Sequence, residues 1–186
     1  TVTLTVAGVT NHGSGPPQPG GIQLNGPPMP GVSGTVINTG TGAAIINTGG
    51  SSLNATAVNS GGATLTNNGV WNGDITNSGT GSSVTNSGTW YGNLAGNTSG
   101  ATVTNAASGI WNGLMNNAGT VNNNGYWRVS SSTKRSTVST DTSTNSGTVN
   151  NNSAMDIAAG TTYTNEVGAT FNNSSLVNIE ATGSSC

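Results

Sequence analysis

The chain has 186 residues, of which only 8 are charged, and Gly, Thr, Asn and Ser together supply 111. Three basic residues cannot neutralise a nucleic-acid backbone, and no apolar run approaches the roughly 20 residues of a membrane-spanning helix. A single cysteine, Cys186, excludes a disulfide scaffold. Disorder usually combines low hydrophobicity with high net charge, whereas this net charge is only −2, so a repetitive all-β protein is the favoured class.

The first segment in chain order, residues 1–10, alternates apolar residues with threonines. Val2, Leu4 and Val6 have the spacing of a half-buried strand of high β-propensity. A lone strand is not stable in water, so this one must pair. Pairing with its own chain and strand addition to a neighbouring subunit both stay open. In the second case Val2, Leu4 and Val6 are the predicted subunit-connecting strand.

Residues 11–34 contain all six prolines of the chain together with many glycines. Such a density of both residue types predicts an extended linker. The sequence therefore divides into an N-terminal strand arm at 1–10, a Pro/Gly-rich linker at 11–34 and a repeat region at 35–186.

The repeat region is built from a short unit, apolar-x-Asn-x-Gly, of which Val36-Asn38-Gly40 and Leu65-Asn67-Gly69 are clear copies. Two units take 19 residues where the repeat is most regular, between Leu65 and Val84. Within each stretch the large apolar residues share one parity, which indicates strands with one buried face.

This pattern predicts an all-β fold, a single-stranded parallel β-helix (β-solenoid) with about 19 residues per turn. One turn is too short to bury its own apolar face, so neighbouring turns must stack to make a continuous core. An antiparallel hairpin stack is an alternative, because Asn-Gly dipeptides also form hairpin turns. The near-constant distance from each asparagine to the following tryptophan favours the solenoid.

Stacked turns place equivalent residues above one another and predict two internal ladders. The tryptophan ladder comprises Trp71, Trp90, Trp111 and Trp127, and the amide ladder comprises Asn67, Asn86, Asn105 and Asn123. The tryptophans share the parity of Leu65 and Ile75, which favours a core position. An exposed aromatic row that stacks on sugars is the alternative.

Residues 130–147 interrupt the repeat, and the basic residues Arg128, Lys134 and Arg135 all lie in or beside them. A solvated loop that leaves the rod between turns is the favoured interpretation. Because loops on rigid scaffolds often carry recognition, contact with an anionic surface is the alternative.

Catalysis needs titratable groups that converge on one point. His12 lies in the linker with no triad or metal-ligand pattern around it, and the parity of Asp74 directs it outward. The remaining acidic residues are scattered: Asp141, Asp156, Glu166 and Glu180. We therefore predict no enzyme activity, no cofactor and no metal site.

Three phrases carry a resemblance to known proteins: Thr76–Thr80 (TNSGT), Thr85–Trp90 (TNSGTW) and Ala118–Asn123 (AGTVNN). They resemble the degenerate Asn-Ser-Gly-Thr repeats of bacterial surface adhesins, namely autotransporter passenger domains and filamentous-haemagglutinin-like exoproteins. The similarity covers residues 35–129 and, more weakly, 149–180. It implies a right-handed parallel β-helix exposed on a bacterial surface.

A short rod with low charge and a separate strand predicts a secreted structural protein at the cell surface. Its solenoids would stack end to end into a filament joined by exchange of the N-terminal strand, so the predicted partner is a further copy of the chain. The alternative is an adhesin or glycan-binding fragment of a larger bacterial exoprotein, whose partners would be host or surface glycans.

Overall fold

The computed structural model describes residues 2–7, 21–24, 34–131 and 141–180, the first two ranges as backbone alone. These residues form an all-β parallel β-solenoid of about 7 turns with about 20 residues per turn. The predicted fold class is confirmed, and the period is slightly longer than the predicted 19 because several turns carry extra residues at their corners. Among the described residues there is no helix of the length and apolarity needed to cross a membrane.

Each full turn contributes one short strand to each of three faces, called here faces A, B and C. Face A contains β1 (Val2–Ala7), β3 (Gly34–Thr39), part of β5 (Ser52–Ser60), β8 (Ile75–Ser78), β11 (Leu94–Asn97), β14 (Met115–Asn117), β17 (Thr142–Asn145) and β20 (Thr162–Asn165). Face B contains β2 (Gly21–Leu24), β4 (Ala44–Asn47), β6 (Thr64–Asn67), β9 (Ser83–Asn86), β12 (Thr102–Asn105), β15 (Thr120–Asn123), β18 (Thr148–Asn151) and β21 (Thr170–Asn173). Face C contains the rest of β5, β7 (Val70–Asn72), β10 (Thr89–Tyr91), β13 (Ile110–Asn112), β16 (Tyr126–Val129), β19 (Met155–Ile157) and β22 (Val177–Ile179).

Within one turn the chain runs from face B through face C to face A, as in β6, β7 and β8. Every strand pairs in parallel with its equivalent in the next turn, so that Asn67 lies opposite Asn86 and Trp90 opposite Trp111. The asparagine units of the repeat therefore form faces A and B, and the tryptophan strands form face C between them.

Alternation along each strand places one apolar column of each face in the core. The face A column is Val36, Ala57, Ile75, Leu94 and Met115. The face B column is Ile45, Leu65, Val84, Val103, Val121, Val149 and Phe171. The face C column is Leu53, Trp71, Trp90, Trp111, Trp127, Met155 and Val177. Three narrow columns suffice for a core, which explains how a chain with only 31% hydrophobic residues folds.

Glycine is required at the corner between faces C and A because successive turns approach closely there. A Cβ atom added at Gly92 would lie 1.9 Å from the carbonyl oxygen of Gly73, and one at Gly113 would lie 1.9 Å from that of Gly92. No heavy-atom contact of this length is tolerated, so any side chain at these positions would push two turns apart.

The N-terminal arm pairs within its own chain. Strand β1 runs parallel to β3 on face A, with Leu4 opposite Val36 and Val6 opposite Asn38. Strand β2 lies inside the range predicted as a linker and pairs with β4, because Ile22 and Leu24 continue the alternation of face B. Gly34, the last residue of the predicted linker, begins β3, and residues 11–20 and 25–33 lie outside the described ranges.

Part of the predicted loop at 130–147 is a strand of the solenoid. Strand β17 begins at Thr142 and pairs with β14, so that Asn145 continues the register of Asn117. Sequence analysis missed this strand because Ser143 replaces the large apolar residue of the repeat. Residues 132–140, with Lys134 and Arg135, lie outside the described part of the chain.

Candidate functional site: the two ends of the solenoid

Two asparagine ladders run through the interior along the solenoid axis. The face A ladder comprises Asn38, Asn59, Asn77, Asn97, Asn117, Asn145 and Asn165. The face B ladder comprises Asn47, Asn67, Asn86, Asn105, Asn123, Asn151 and Asn173. In every step the Nδ2 of one asparagine donates to the Oδ1 of its equivalent one turn later, at 2.7 to 3.0 Å. The four asparagines predicted from sequence all belong to the face B ladder.

Each ladder has a direction, because the donors all point toward the C-terminal end. The second N–H of the same amide bonds a backbone carbonyl, as when Asn86 donates to the carbonyl of Ile110 at 3.1 Å. An interior asparagine is therefore buried with both donors and its acceptor satisfied, which offsets the cost of removing an amide from water. A ladder of this kind has a free acceptor at its N-terminal end and a free donor at its C-terminal end.

The predicted tryptophans form a stack on face C inside the core. The ring centroids of Trp90 and Trp111 lie 4.8 Å apart at an interplanar angle of 4°, and those of Trp111 and Trp127 lie 4.5 Å apart at 2°. Trp71 pairs with Trp90 in the strand register. All four rings are at most 1% exposed, and each indole N–H donates to a backbone carbonyl of the preceding turn, such as Trp90 to Gly73 at 2.9 Å.

The last described turn, formed by β20, β21 and β22, exposes the end of the core. Tyr163, Phe171 and Val177 pack against the core cluster but are only partly buried, whereas their equivalents in the preceding turns are fully covered. Leu176 and Ile179 beside them are 63% and 72% exposed. The outer backbone edge of these three strands pairs with no other described strand.

Aromatic contacts hold this turn against the stack. The ring centroid of Tyr163 lies 6.3 Å from that of Trp127 and 5.5 Å from that of Phe171, and both contacts are edge-on. The Tyr163 hydroxyl is buried and has no hydrogen-bond partner among the described residues, and burial raises the pKa of this phenol well above its usual range. Ser143, the residue opposite Tyr163 in β17, is small enough to let the ring reach Trp127.

At the N-terminal end of the solenoid, the first asparagine of each ladder has a buried side-chain oxygen without a hydrogen-bond donor among the described residues. The Oδ1 atoms of Asn38 and Asn47 are buried and accept no hydrogen bond from the described residues. Strands β1 and β2 lie beyond them, with Val6 opposite Asn38 and Leu24 opposite Asn47, so the amide ladders do not continue into these strands.

The charged residues form local contacts on the outside of face C. Arg128 donates both Nη atoms to the carboxylate of Glu180, at 2.5 and 2.9 Å. This bidentate contact holds the pKa of Glu180 below its usual range. The Tyr126 hydroxyl donates to Asp156 at 2.5 Å. Burial of the hydroxyl is the larger cause that raises the pKa of Tyr126, and this hydrogen bond is the second.

The other predicted chemical groups stay separate. Asp74 accepts a hydrogen bond from the backbone N–H of Asn93 at 2.7 Å, a structural contact between adjacent turns. Among the described residues, no three His, Cys, Asp or Glu side chains lie close enough together to hold a metal ion. His12 and Cys186 lie outside the described residues, and the side chains of Val2, Leu4 and Val6 are not described.

Sequence analysis found one ladder and predicted stacking through the solenoid ends, but it did not identify the residues at those ends. The face A asparagines, for example Asn38 and Asn77, occur in copies of the repeat unit. No tryptophan follows them at a constant distance, so the sequence does not show which of these asparagines are equivalent in successive turns. Tyr163 and Phe171 were visible only as degenerate copies. Nothing in the sequence indicates that the core is uncovered at these two residues.

Comparison of the chain with protein families, with curated proteins and with solved structures found no match. The resemblance to bacterial adhesin repeats is therefore supported at the level of the β-solenoid fold alone.

Proposed function

We propose that this chain is a structural subunit of an extracellular filament in which solenoids stack end to end. The observation that carries the proposal is the partial exposure of the core at the last described turn, where Tyr163, Phe171 and Val177 are only partly buried although their equivalents in the preceding turn are fully buried. Open apolar columns beside unpaired strand edges are a template for another strand layer. A second copy supplies such a layer with the same three-faced geometry.

The electrostatics of the two ends favour stacking. No Asp, Glu, Lys or Arg occurs between residues 13 and 73, so the N-terminal turns present no charge to an incoming copy. At the other end Glu180 is paired with Arg128, and Glu166 is the one other acidic residue between the start of β20 and Glu180. Stacked copies therefore avoid the ladders of like charge that destabilise neighbouring strands.

The secreted, cell-surface location belongs to this proposal and rests on composition. A chain with 4% charged residues and abundant Ser, Thr and Asn suits a rod exposed to solvent along its length. Glycan binding through the tryptophans lacks support, because an indole ring that is at most 1% exposed cannot stack on a sugar.

Electron microscopy and light scattering of the purified chain test the proposal. We expect unbranched filaments as wide as one solenoid, and we expect Phe171→Asp to leave monomeric rods, because a carboxylate at the end of the core would be desolvated by docking. Tyr91→Asp is the matched control, since Tyr91 is 46% exposed on face C away from both ends. Monomeric rods from the unchanged chain, or filaments from Phe171→Asp equal to those of the control, would contradict the proposal.

A further inference from the structure

The N-terminal ends of both asparagine ladders are incomplete. Asn38 and Asn47 are 0% exposed and donate their amides onward, yet their Oδ1 atoms accept no bond from any described residue. The strands beyond them present Val6 and Leu24 at the ladder positions, and neither residue type has a side-chain donor. A buried acceptor without a donor destabilises the arrangement that buries it.

The C-terminal ends of the ladders have spare donors. Asn165 accepts from Asn145, and Asn173 accepts from Asn151, as in every earlier turn. Each then donates one N–H to a carbonyl of its own turn, to Ala169 at 3.1 Å and to Ser175 at 2.7 Å. In the interior of both ladders the amide also bonds the next asparagine, and no described asparagine occupies the ladder position after Asn165 or after Asn173.

We propose that β1 and β2 form a displaceable cap, and that the C-terminal turn of a second copy replaces it so that both asparagine ladders continue across the joint. Asn165 and Asn173 of one copy then donate to Asn38 and Asn47 of the next. This inference rests on the end-to-end stacking proposed above and specifies its register.

The apolar columns fit the same register. With the ladders aligned, Tyr163 of one copy covers the column of Val36 on face A, and Phe171 covers that of Ile45 on face B. On face C, Val177 covers Leu53, the first described member of the tryptophan column. A slip of one residue would turn all three columns outward, so amide and apolar matching select a single register.

The cap has a defined energetic role in this arrangement. While β1 and β2 are in place, they cover the backbone edge of β3 and β4 but leave two buried acceptors unbonded. A second copy offers the same backbone pairing and supplies the missing donors. The cap therefore slows assembly without preventing it, and β1 is released rather than bridging two copies.

Substitutions in β1 and β2 of the full-length chain distinguish a displaceable cap from a strand that connects two copies, because the two roles predict opposite changes in the rate of assembly. Leu4→Pro with Thr5→Pro weakens the pairing of β1, because N–H groups of adjacent strand residues point to opposite edges and one of the two faces β3. We expect this variant to assemble about tenfold faster than the unchanged chain by light scattering, the scale set by one unsatisfied buried group. Val6→Asn with Leu24→Asn supplies donors to the cap, and we expect assembly to slow by a similar factor.

The donor side is tested at the other end of the chain. Asn165→Asp and Asn173→Asp keep the acceptor that completes the ladder within the chain and remove the amide donors, namely the outgoing one and the one that bonds Ala169 or Ser175 in the same turn. We expect both to lose assembly, whereas Thr164→Asp, which adds the same charge to the outward face of β20 opposite Thr144, keeps it. Tryptophan fluorescence that matches the unchanged chain shows that each variant is folded.

The outcomes separate this inference from the proposal on which it rests. Loss of filaments in the Leu4→Pro, Thr5→Pro variant would overturn the cap and identify β1 as a connecting strand, with end-to-end stacking intact. Equal assembly by the Asn165→Asp and Thr164→Asp variants would overturn the ladder joint. If neither the unchanged chain nor the proline variant forms filaments, the proposal of end-to-end stacking is itself wrong.

Discussion

Asn117 donates its side-chain amide to Asn145 at 2.7 Å, although 28 residues separate the two along the chain. Other steps of the same ladder span as few as 18 residues, as from Asn59 to Asn77. The ladder therefore holds the turns in register while the segments between strands vary in length. This tolerance allows one regular core to form from an irregular repeat.

Replacement of an interior ladder residue should cost far more than its small side chain suggests. Asn117→Ala leaves one N–H of the buried Asn97 amide without its acceptor and removes the bond to the Oδ1 of Asn145, which keeps the backbone N–H of Gly147. One unsatisfied buried N–H at about 1–3 kcal/mol and one lost hydrogen bond at about 0.5–1.5 kcal/mol predict a loss of about 1.5–4.5 kcal/mol in the free energy of unfolding, measured by urea denaturation.

Asn116→Ala is the control for this prediction, because Asn116 is the exposed neighbour on the same strand. We expect it to change stability by less than about 0.5 kcal/mol. Equal losses in the two variants would show that the ladder bonds contribute nothing specific.

Gly92→Ala should prevent the turns from closing. The added Cβ would lie 1.9 Å from the carbonyl oxygen of Gly73 and 2.8 Å from Nε1 of Trp90, so the corner and the tryptophan stack cannot both keep their positions. We expect a loss of at least about 3 kcal/mol, at the severe end of single substitutions, detected as a lowered Tm in thermal denaturation.

Gly96→Ala, in the adjoining strand, isolates the effect of close approach from that of glycine itself. Its nearest added contact is 3.8 Å, to the side chain of Thr76, and its backbone does not need positive φ. We expect this control to be neutral or slightly stabilising. A Gly92→Ala protein as stable as the control would disprove the steric argument.

Tyr163→Phe should stabilise the protein, most of all at alkaline pH. The Tyr163 hydroxyl is buried and has no hydrogen-bond partner in the described part of the chain, and burial raises its pKa in the folded state. The folded state therefore retains a proton that the unfolded state loses above pH about 10, so stability falls as the pH rises beyond that value. Urea denaturation between pH 8 and 11 should show this decline in the unchanged chain and a smaller one in Tyr163→Phe.

The Arg128–Glu180 pair should make a small contribution with the opposite pH dependence. The guanidinium of Arg128 lowers the pKa of Glu180 in the folded state, so the contribution is present above the ordinary carboxyl pKa and is lost as the pH falls through the lowered one. Both side chains are about one-third exposed, which limits the pair to less than about 1 kcal/mol. Arg128→Gln should flatten the acid limb of a stability-versus-pH curve measured by urea denaturation, and an unchanged acid limb would contradict this prediction.

Much of the fold was predictable because its signal is local and repeated. The parity of Leu65, Ile75 and Val84 identifies the buried face of each strand, and the recurrence of tryptophan after asparagine identifies stacked turns. The strands β2 and β17 were missed because this local signal is weak in their sequences. Prolines around Gly21–Leu24 and the small Ser143 in β17 hide the alternation, and only pairing with the next turn makes these segments strands.

The candidate site could not be predicted in the same way, because it is a property of position in the stack. Phe171 and Val149 occupy equivalent places in the repeat, but one is at the exposed end of a column and the other is fully buried. Asn38 and Asn59 likewise share a motif, but the Oδ1 of Asn59 accepts from Asn38, whereas the Oδ1 of Asn38 has no donor within the described ranges.

The sequence by itself determined the strand periodicity, the stacked asparagines and tryptophans and the near-absence of charge, since each follows from residue type and spacing along the chain. Tertiary structure alone decided the three faces, the direction of the amide ladders and the unequal ends of the core. These depend on which turns lie next to each other, and an end exists only where one turn has no neighbour to bury its apolar and amide groups.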